Sequence, residues 1–424
     1  MSPFLDILVG SMKRIWLLAV AIMVLPWAGL RAESRPDSAS SPPPSHAALR
    51  LTVHNYGLCF GNAQRTHGAR FNLIDHGLER VDGLNLTFWK PRDNPDAVIN
   101  GIAAGLIAPS ANRINGVSFG GIAVVAQSSL RGVNAAGIAA VSEGDMGGLN
   151  VAGLAVVGGG KLSGLSVAGL AVVSEGRSVG INLAGLATVS QKGASGISVA
   201  GLAAVSDGDA TGISIGGLAA VCQGRMRGIA IGGLAAVIEG TGAGLSLGGL
   251  ASVSEGTSAG LALSGIATVF EGNHTGIAAS GGLVICEKDL RGLSVGAIAL
   301  PARIGQGSKH WSFPGIRARN LSGLTVHGMN IQARERASGI SVSGIHLSAD
   351  VISGLSVAPI VRAGDLKGIV AGAVNSIARR QSGIAVGLVN RASVLKGIQI
   401  GLLNYAGNNP RGLRLLPVIN VHLK

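Results

Sequence analysis

The sequence predicts an all-β protein, an elongated parallel β-solenoid, and three observations lead to that fold class. A sixteen-residue repeat opens with glycine and runs from Gly116 to Gly292. Each repeat contains two short apolar stretches separated by a glycine and followed by a polar segment. Glycine accounts for 68 of the 424 residues, while aromatic residues make up only 3%. A fixed short period is typical of architectures in which each unit buries its apolar side against its neighbours.

The N-terminal residues 1–32 have the layout of a secretory signal peptide. Lys13 and Arg14 precede the apolar run 15–25, and a small-residue stretch ends at Ala32. Cleavage near Ala32 would deliver the chain to the periplasm, the outer-membrane surface or the extracellular space, and a retained membrane anchor is the alternative. Residues 33–48 are rich in proline and serine, which predicts a linker.

The repeat predicts two strands and a turn when each unit is numbered in columns from its opening glycine. In the unit 164–179 (GLSVAGLAVVSEGRSV), columns two and four are apolar, and column three is polar or small. This alternation predicts a short strand. Glycine at column six permits a bend, and columns seven to ten form a second apolar stretch. The polar columns eleven to sixteen predict a turn, with acidic residues common at column twelve.

Each unit is therefore expected to form one coil whose strands pair in parallel with their copies in the next coil. Outside the strict block the period loosens to 14–16 residues, so the predicted array covers 68–412. Counting Gly307 and Gly412 as openers gives about 23 coils and a length on the order of 110 Å. Segments 49–67 and 413–424 are predicted to cap the two ends, because exposed coils invite edge pairing.

Three asparagines, Asn375, Asn390 and Asn404, share one column of the last units. Stacked amides at a turn can hydrogen-bond along the axis of the stack, so this column predicts an asparagine ladder at a turn.

An outer-membrane β-barrel is the alternative fold, because ten apolar-leaning residues and a six-residue turn also suit a strand and loop. Successive barrel turns face opposite sides of the membrane and should differ alternately, yet these turns resemble one another in every unit. Girdles of aromatic residues are also missing from the sequence. Both observations favour the solenoid.

The C-terminal units GIAVGLVN (383–390) and GIQIGLLN (397–404) resemble the GLQIGLLN-type repeat of a bacterial surface-repeat protein family whose function is unassigned. The segments GARFNLID (68–75) and LPVIN (416–420) are similar to the beginning and close of that family. The middle block is richer in alanine than the family's pattern. The resemblance implies a secreted or surface-displayed repeat protein and implies no catalytic residue.

The sequence contains no pattern that predicts catalysis or a cofactor. The motifs GxxxxGK[ST] and HExxH are absent. The one local group of metal-ligand types is His54, Cys59, His67, Asp75 and His76, whose spacing matches no familiar zinc site and suits a capping segment better. Cys222 and Cys286 share one column four units apart, too far for a disulfide, so they are predicted to be packing residues.

Positive charge is concentrated in the last third of the chain. Residues 301–424 contain 15 Lys or Arg and 3 acidic residues, so 15 − 3 = +12 of the formal +13 lies there. Such a surface attracts anionic polymers. The candidate anion-binding face comprises Arg379, Arg380, Arg391 and Arg411. Export and the lack of stacking aromatic residues argue against nucleic acid as the partner.

Together these observations predict a non-enzymatic, exported repeat protein that serves as a structural or interaction scaffold of the cell envelope or surface. No cofactor or metal is expected, and membrane association is expected to be peripheral. Two alternatives stay open. One is a binding module for anionic envelope glycans that uses the basic C-terminal coils, and the other is a membrane-embedded β-barrel.

Overall fold

A computed structural model describes residues 48–54, 56–89, 91, 94–297 and 315–423. The predicted signal peptide, and the predicted linker except for Ala48, lie outside these residues. The described chain is all-β, and stacked parallel strands form a β-solenoid of about 20 turns. No helix in the described part of the chain is long and apolar enough to span a membrane.

The N-terminal end begins with a pair of antiparallel strands. Strand β1 runs antiparallel to β2, and β2 then pairs in parallel with β3, so that Gly57 lies beside Gly68. The following strands continue the parallel stack. The strands of this region are β1 (Ala48–Val53), β2 (Tyr56–Gly61), β3 (Arg65–Asn72), β4 (Arg80–Thr87), β5 (Val98–Gly105), β6 (Ser110–Gly120) and β7 (Ala123–Ala136).

The middle block alternates four-residue strands with strands of seven or eight residues. The short strands occupy columns eight to eleven, and the longer ones extend from column fourteen or fifteen to column five of the next unit. The short strands are β8 (Ala139–Ser142), β10 (Ala155–Gly158), β12 (Ala171–Ser174), β14 (Ala187–Ser190), β16 (Ala203–Ser206), β18 (Ala219–Cys222), β20 (Ala235–Ile238), β22 (Ala251–Ser254), β24 (Ala267–Phe270) and β26 (Leu283–Cys286). The longer strands are β9 (Asp145–Ala152), β11 (Leu162–Ala168), β13 (Ser178–Ala184), β15 (Ala194–Ala200), β17 (Ala210–Gly216), β19 (Met226–Gly232), β21 (Gly242–Gly248), β23 (Ser258–Ser264), β25 (His274–Ser280) and β27 (Asp289–Gly296).

Each strand of the middle block pairs in parallel with its own copy one coil away, as β11 does with β13 through Gly164 and Gly180. The short strands form a second ladder in the same way, as β10 does with β12. All pairing between successive coils is parallel within the described array, which confirms the predicted solenoid. The antiparallel pairing of successive strands that the alternative fold requires does not occur between these coils.

The C-terminal coils are built from longer strands that combine both ladders. The glycine ladder passes from Gly292 directly to Gly323, while Gly307 lies outside the described residues. Gly412 lies in the 3-10 helix Arg411–Leu413, and the last strand, β34, runs antiparallel to β33. The strands are β28 (Ile316–His327), β29 (Asn330–Ser343), β30 (His346–Val357), β31 (Ile360–Ala371), β32 (Val374–Val386), β33 (Val389–Ala406) and β34 (Leu415–His422).

The branched side chains of columns two, four and seven lie on the outside of the coils, whereas the interior holds small or polar side chains in column three and larger apolar ones, such as Leu162, in column fifteen. Asn182 at column three is 5% exposed, whereas Ile181 at column two is 40% exposed. The expectation that each unit buries its apolar side is therefore wrong for these columns. The bend leaves little space inside: a Cβ added to Gly216 at column five would lie 1.8 Å from the carbonyl oxygen of Ala219.

Several buried polar side chains in the interior bond to one another along the stack. Ser118 Oγ donates to Asn134 Oδ1 at 2.7 Å, and Asn134 Nδ2 donates to Asn150 Oδ1 at 2.8 Å. These bonds offset the cost of removing hydroxyl and amide groups from water. A column of serine and asparagine can thus occupy the inside while the aliphatic columns remain outside.

Candidate interaction surfaces

The most extensive surface feature is an apolar belt, defined as the outward side chains of columns two, four and seven. Column two is always Leu, Ile or Val from Leu84 to Ile398, through the pairings of successive strands. Column four adds Val, Leu, Ile, Ala or Phe on the same face. Column seven lies at the bend, with side chains 37–47% exposed at Ile122, Ile138, Leu154, Leu170, Leu186, Leu202, Leu218, Leu234, Leu250 and Ile266.

The backbone fixes the position of column seven at the outer edge of each coil. Leu186 donates its amide hydrogen to the carbonyl oxygen of Leu170 at 2.9 Å, and Leu202 bonds in the same way to Leu186. The leucine side chains therefore stack in register along the solenoid. Each is preceded by a column-six glycine such as Gly185, at which a Cβ would lie 2.0 Å from the carbonyl oxygen of Gly169.

Charged residues are sorted around the coil. None occurs in columns two, four or seven of the coils between residues 98 and 297 or between 315 and 406. The polar edge, which comprises columns twelve to fourteen, holds nearly all the carboxylates of this part of the chain, such as Glu175, Asp209 and Glu255. Burial, together with repulsion from the nearby Glu239, raises the pKa of Asp207.

Cations flank the apolar belt in column sixteen at intervals along the array, and in column ten in the last coils. These flanking cations are Arg131, Arg227, Arg291, Lys367 and Lys396 in column sixteen, and Arg317, Arg362 and Arg391 in column ten. Asp82 is the one carboxylate in these two columns among the described residues. Arg291 also forms an ion pair with Asp289 of the polar edge at 2.9 Å.

The four arginines of the predicted anion-binding face do not share one column. Arg379 contacts Asp350 at 2.8 Å and Asp365 at 2.9 Å, which raises the pKa of its guanidinium. Arg380 follows it on the polar edge, and its backbone amide donates to Asp365 Oδ1 at 3.2 Å. Arg391 belongs to column ten, and Arg411 begins the 3-10 helix that precedes β34.

A basic column in the last coils was missed in the sequence. Arg317, Arg362 and Arg391 are joined by the register through Gln332, Ser348 and Ser376, in the column that holds valine in the middle block. Register shifts in β29, β31 and β32 and the segment 298–314 obscure this relation in the sequence. Burial and the nearby Arg334 both lower the pKa of Arg317.

The group of metal-ligand residue types near the N-terminus is engaged in other contacts. Arg70, which is fully buried, donates to Asp75 Oδ1 at 2.6 Å, and Thr87 Oγ1 donates to Asp75 Oδ2 at 2.6 Å. His67 contacts Asp82 at 3.1 Å and stacks on Tyr56. No group of three or more His, Cys, Asp or Glu that could hold a metal ion occurs in the described part of the chain.

The cysteines predicted to be packing residues are buried, which confirms that role. Cys222 and Cys286 are 4% and 2% exposed and lie in one column, separated by Ile238, Ser254 and Phe270. Burial raises the pKa of each thiol to about 11, so neither is an activated nucleophile at neutral pH.

Comparison of the chain with protein-family profiles, with curated proteins and with solved structures returned no match.

Proposed function

We propose that this chain is a non-enzymatic, exported repeat protein that serves as a structural and interaction scaffold of the cell envelope or surface. The observation that carries the proposal is the uncharged apolar belt, which continues from coil to coil along the array. A strip roughly 95 Å long, at about 4.8 Å per coil, and about 10 Å wide covers on the order of 1,000 Å². Ordinary monomers expose contiguous apolar patches of roughly 300–600 Å².

Two further features support the proposal. The signal-like segment 1–32 favours export, and the resemblance of the last units to bacterial surface-repeat proteins favours the cell surface. A repetitive surface presents the same contact at every coil, which suits an extended partner better than a small substrate. The buried thiols and the paired Asp75 offer no catalytic group.

Fractionation of the producing cell tests this function. We expect the chain in the envelope or extracellular fraction, with a new N-terminus close to Glu33 as determined by N-terminal sequencing. A chain that remains in the cytoplasm with Met1 or Met12 at its N-terminus would overturn the proposal.

A second candidate function is the binding of anionic envelope glycans by the last coils. The observation that favours it is the basic column Arg317, Arg362 and Arg391, which has no carboxylate in its own column. Binding through this column would weaken as salt rises, because the attraction of exposed charges is screened within about 10 Å at 0.1 M ionic strength.

Retention on a column of immobilised teichoic acid or lipopolysaccharide tests this second candidate. Replacing Arg362 and Arg391 with Gln should lower the salt concentration that elutes the full chain. Arg379→Gln is the matched control and should have a smaller effect, because its charge is already paired with Asp350 and Asp365. Equal retention of the double variant and the parent chain would reject the candidate.

A further inference from the structure

We propose that the apolar belt is a lipid-binding face, by which the solenoid lies along the surface of an anionic bilayer with its coils side by side in the interface. This inference rests on the proposed envelope function and names the partner of the same surface. It follows from three properties of the belt: its side chains, its flanking charges and the location of the carboxylates.

The belt has the composition of a surface that enters the boundary between headgroups and acyl chains. Its members are apolar, uncharged and either exposed or half-buried, and the exposed ones include Leu202 at 44%, Leu218 at 45% and Leu234 at 46%. Amphipathic segments that lie in the interface bury their apolar face to a depth of roughly 5–10 Å, and their affinity grows with the apolar area they bury. In the solenoid, the outward residues of the strands would form the apolar face that such helices form with one side.

The charges beside the belt are those that an anionic headgroup layer would attract. Column sixteen places arginine or lysine beside the belt in five coils, and column ten adds arginine on the other side in the last coils. The long stems of these residues can lie along the apolar surface while their charges reach phosphate groups. Cations near an anionic membrane surface strengthen its attraction for the protein. The carboxylates of columns twelve to fourteen lie on the other side of the flanking cations, at the polar turn of each coil.

The same charge arrangement argues against a second copy of the chain as the occupant. In the last coils, where both flanking columns carry cations, two belts placed face to face would bring a cationic column of one copy against a cationic column of the other. The flanking columns of the described residues contain one carboxylate, Asp82, so they offer little to neutralise these cations. Like charges placed directly opposite one another destabilise an interface.

The experiment uses two variants of the full chain, each with a single spin label, and the two labels lie on different sides of the coil. Leu202→Cys carries the label on the belt, and Gln191→Cys carries it on the exposed polar edge, while the native cysteines are buried. Each labelled chain is mixed with vesicles of phosphatidylcholine containing about one third phosphatidylglycerol. Access of dissolved oxygen and of a water-soluble nickel complex to each label is then measured by electron paramagnetic resonance.

We expect the label at position 202 to become accessible to oxygen and protected from nickel when vesicles are added, while the label at position 191 stays accessible to nickel. Two labels that both remain in water would overturn the proposal. Protection of position 202 from both reagents without vesicles, with magnetic coupling between labels, would instead identify a second copy as the occupant. The apolar run 15–25 is present in both chains, so it cannot produce a difference between them.

A matched pair of charge variants gives a second readout by vesicle sedimentation. The belt variant carries Leu202→Glu and Leu234→Glu, and the control carries Gln191→Glu and Gln223→Glu, with the same added charge and the same separation along the repeat. We expect the belt variant to bind the anionic vesicles at least about tenfold more weakly than the control, because it loses apolar area and repels the headgroups. Circular dichroism checks that both variants fold.

Equal binding of the two variants would reject the lipid-binding face. That result would not affect the proposed envelope function, which is tested by the cellular location of the chain and by its cleavage. A cytoplasmic location, in turn, would reject the envelope function whatever the vesicles show.

Discussion

At the scale of single residues, the column of opening glycines decides whether the coils can stack. The opening glycines in the described ladder have φ between +96° and +148°, a region that side chains with a Cβ rarely adopt. The coil before each of them also blocks the space. A Cβ at Gly212 would lie 2.2 Å from the carbonyl oxygen of Gly196, which is far inside van der Waals contact.

Replacing Gly212 with alanine should therefore destabilise the array by about 2 kcal/mol or more, through strain at φ +112° and the clash with Gly196. Guanidinium-induced unfolding followed by circular dichroism measures the change. Gly242→Ala is the matched control, because a Cβ there meets side chains at 3.4 to 3.7 Å and alanine occupies the same column at Ala194 and Ala210. An equal loss in both variants would contradict the argument.

Buried histidines should make the stability depend on pH. Burial lowers the pKa of His274, of His327 and of His346 below the ordinary value of 6.5. Above that value the imidazoles are neutral in both states. As the pH falls through it, the unfolded chain takes up protons that the folded chain does not, so the free energy of unfolding decreases.

We expect the guanidinium concentration at the midpoint of unfolding to decrease as the pH is lowered from about 7.5 to about 5. His274→Ser should flatten part of that slope, because serine occupies the same column at Ser258. Carboxylates such as Asp289, whose pKa is lowered by Asn320 and Arg291, titrate below this range and do not account for it. A midpoint concentration that increases as the pH is lowered toward 5 would contradict the role assigned to the histidines.

At the scale of elements, the strands are held by ladders of identical groups that run along the stack. The predicted asparagine ladder is confirmed: Asn375 Nδ2 donates to Asn390 Oδ1 at 2.8 Å, and Asn390 Nδ2 donates to Asn404 Oδ1 at 2.7 Å. It lies inside β32 and β33, where the three side chains are at most 1% exposed, and not at a turn. Burial makes each of these bonds costly to lose.

Asn390→Ala removes the middle amide and should cost about 2–3 kcal/mol, because both neighbouring asparagines then lose a partner inside the coil. Ser376→Ala, on the outward face of β32, is the control and should change the stability by less than about 0.5 kcal/mol. Differential scanning calorimetry of the two variants compares them. Equal melting temperatures would show that the ladder contributes nothing to stability.

At the scale of the whole molecule, the described array begins and ends with an antiparallel strand. β1 covers β2, and β34 covers β33, the last parallel strand. An uncovered strand with free amide and carbonyl groups is a template for pairing with another chain. The array needs such endings more than a globular domain does, because its coils have no intrinsic limit to stacking.

Deletion of residues 413–424 should expose β33 and cause aggregation or filament growth, which multi-angle light scattering and electron microscopy detect. The full chain at the same concentration is the reference. A truncated chain that stays monodisperse would show that β34 does not protect this end.

The sequence by itself determined the period, the two strands per coil, the parallel stacking and the asparagine ladder. Each of these depends on which residue types recur in one column, and a repeat displays that directly. The candidate face of Arg379, Arg380, Arg391 and Arg411 was only a cluster in the sequence. The structure separates these residues by column and adds Arg317 and Arg362, because register shifts and the segment 298–314 break the count.

The tertiary structure alone decided which side of each strand faces inward. Alternation shows that Ile181 and Asn182 lie on opposite faces, but it fits equally well with either residue inside. Columns five, six and eight of the bend are mostly glycine, alanine and serine, and hydrogen bonds along the stack join several of the buried serines and asparagines. Columns two, four and seven face outward, while large apolar residues such as Leu162 are buried in column fifteen, and the outward columns form the belt on which the proposed lipid contact depends.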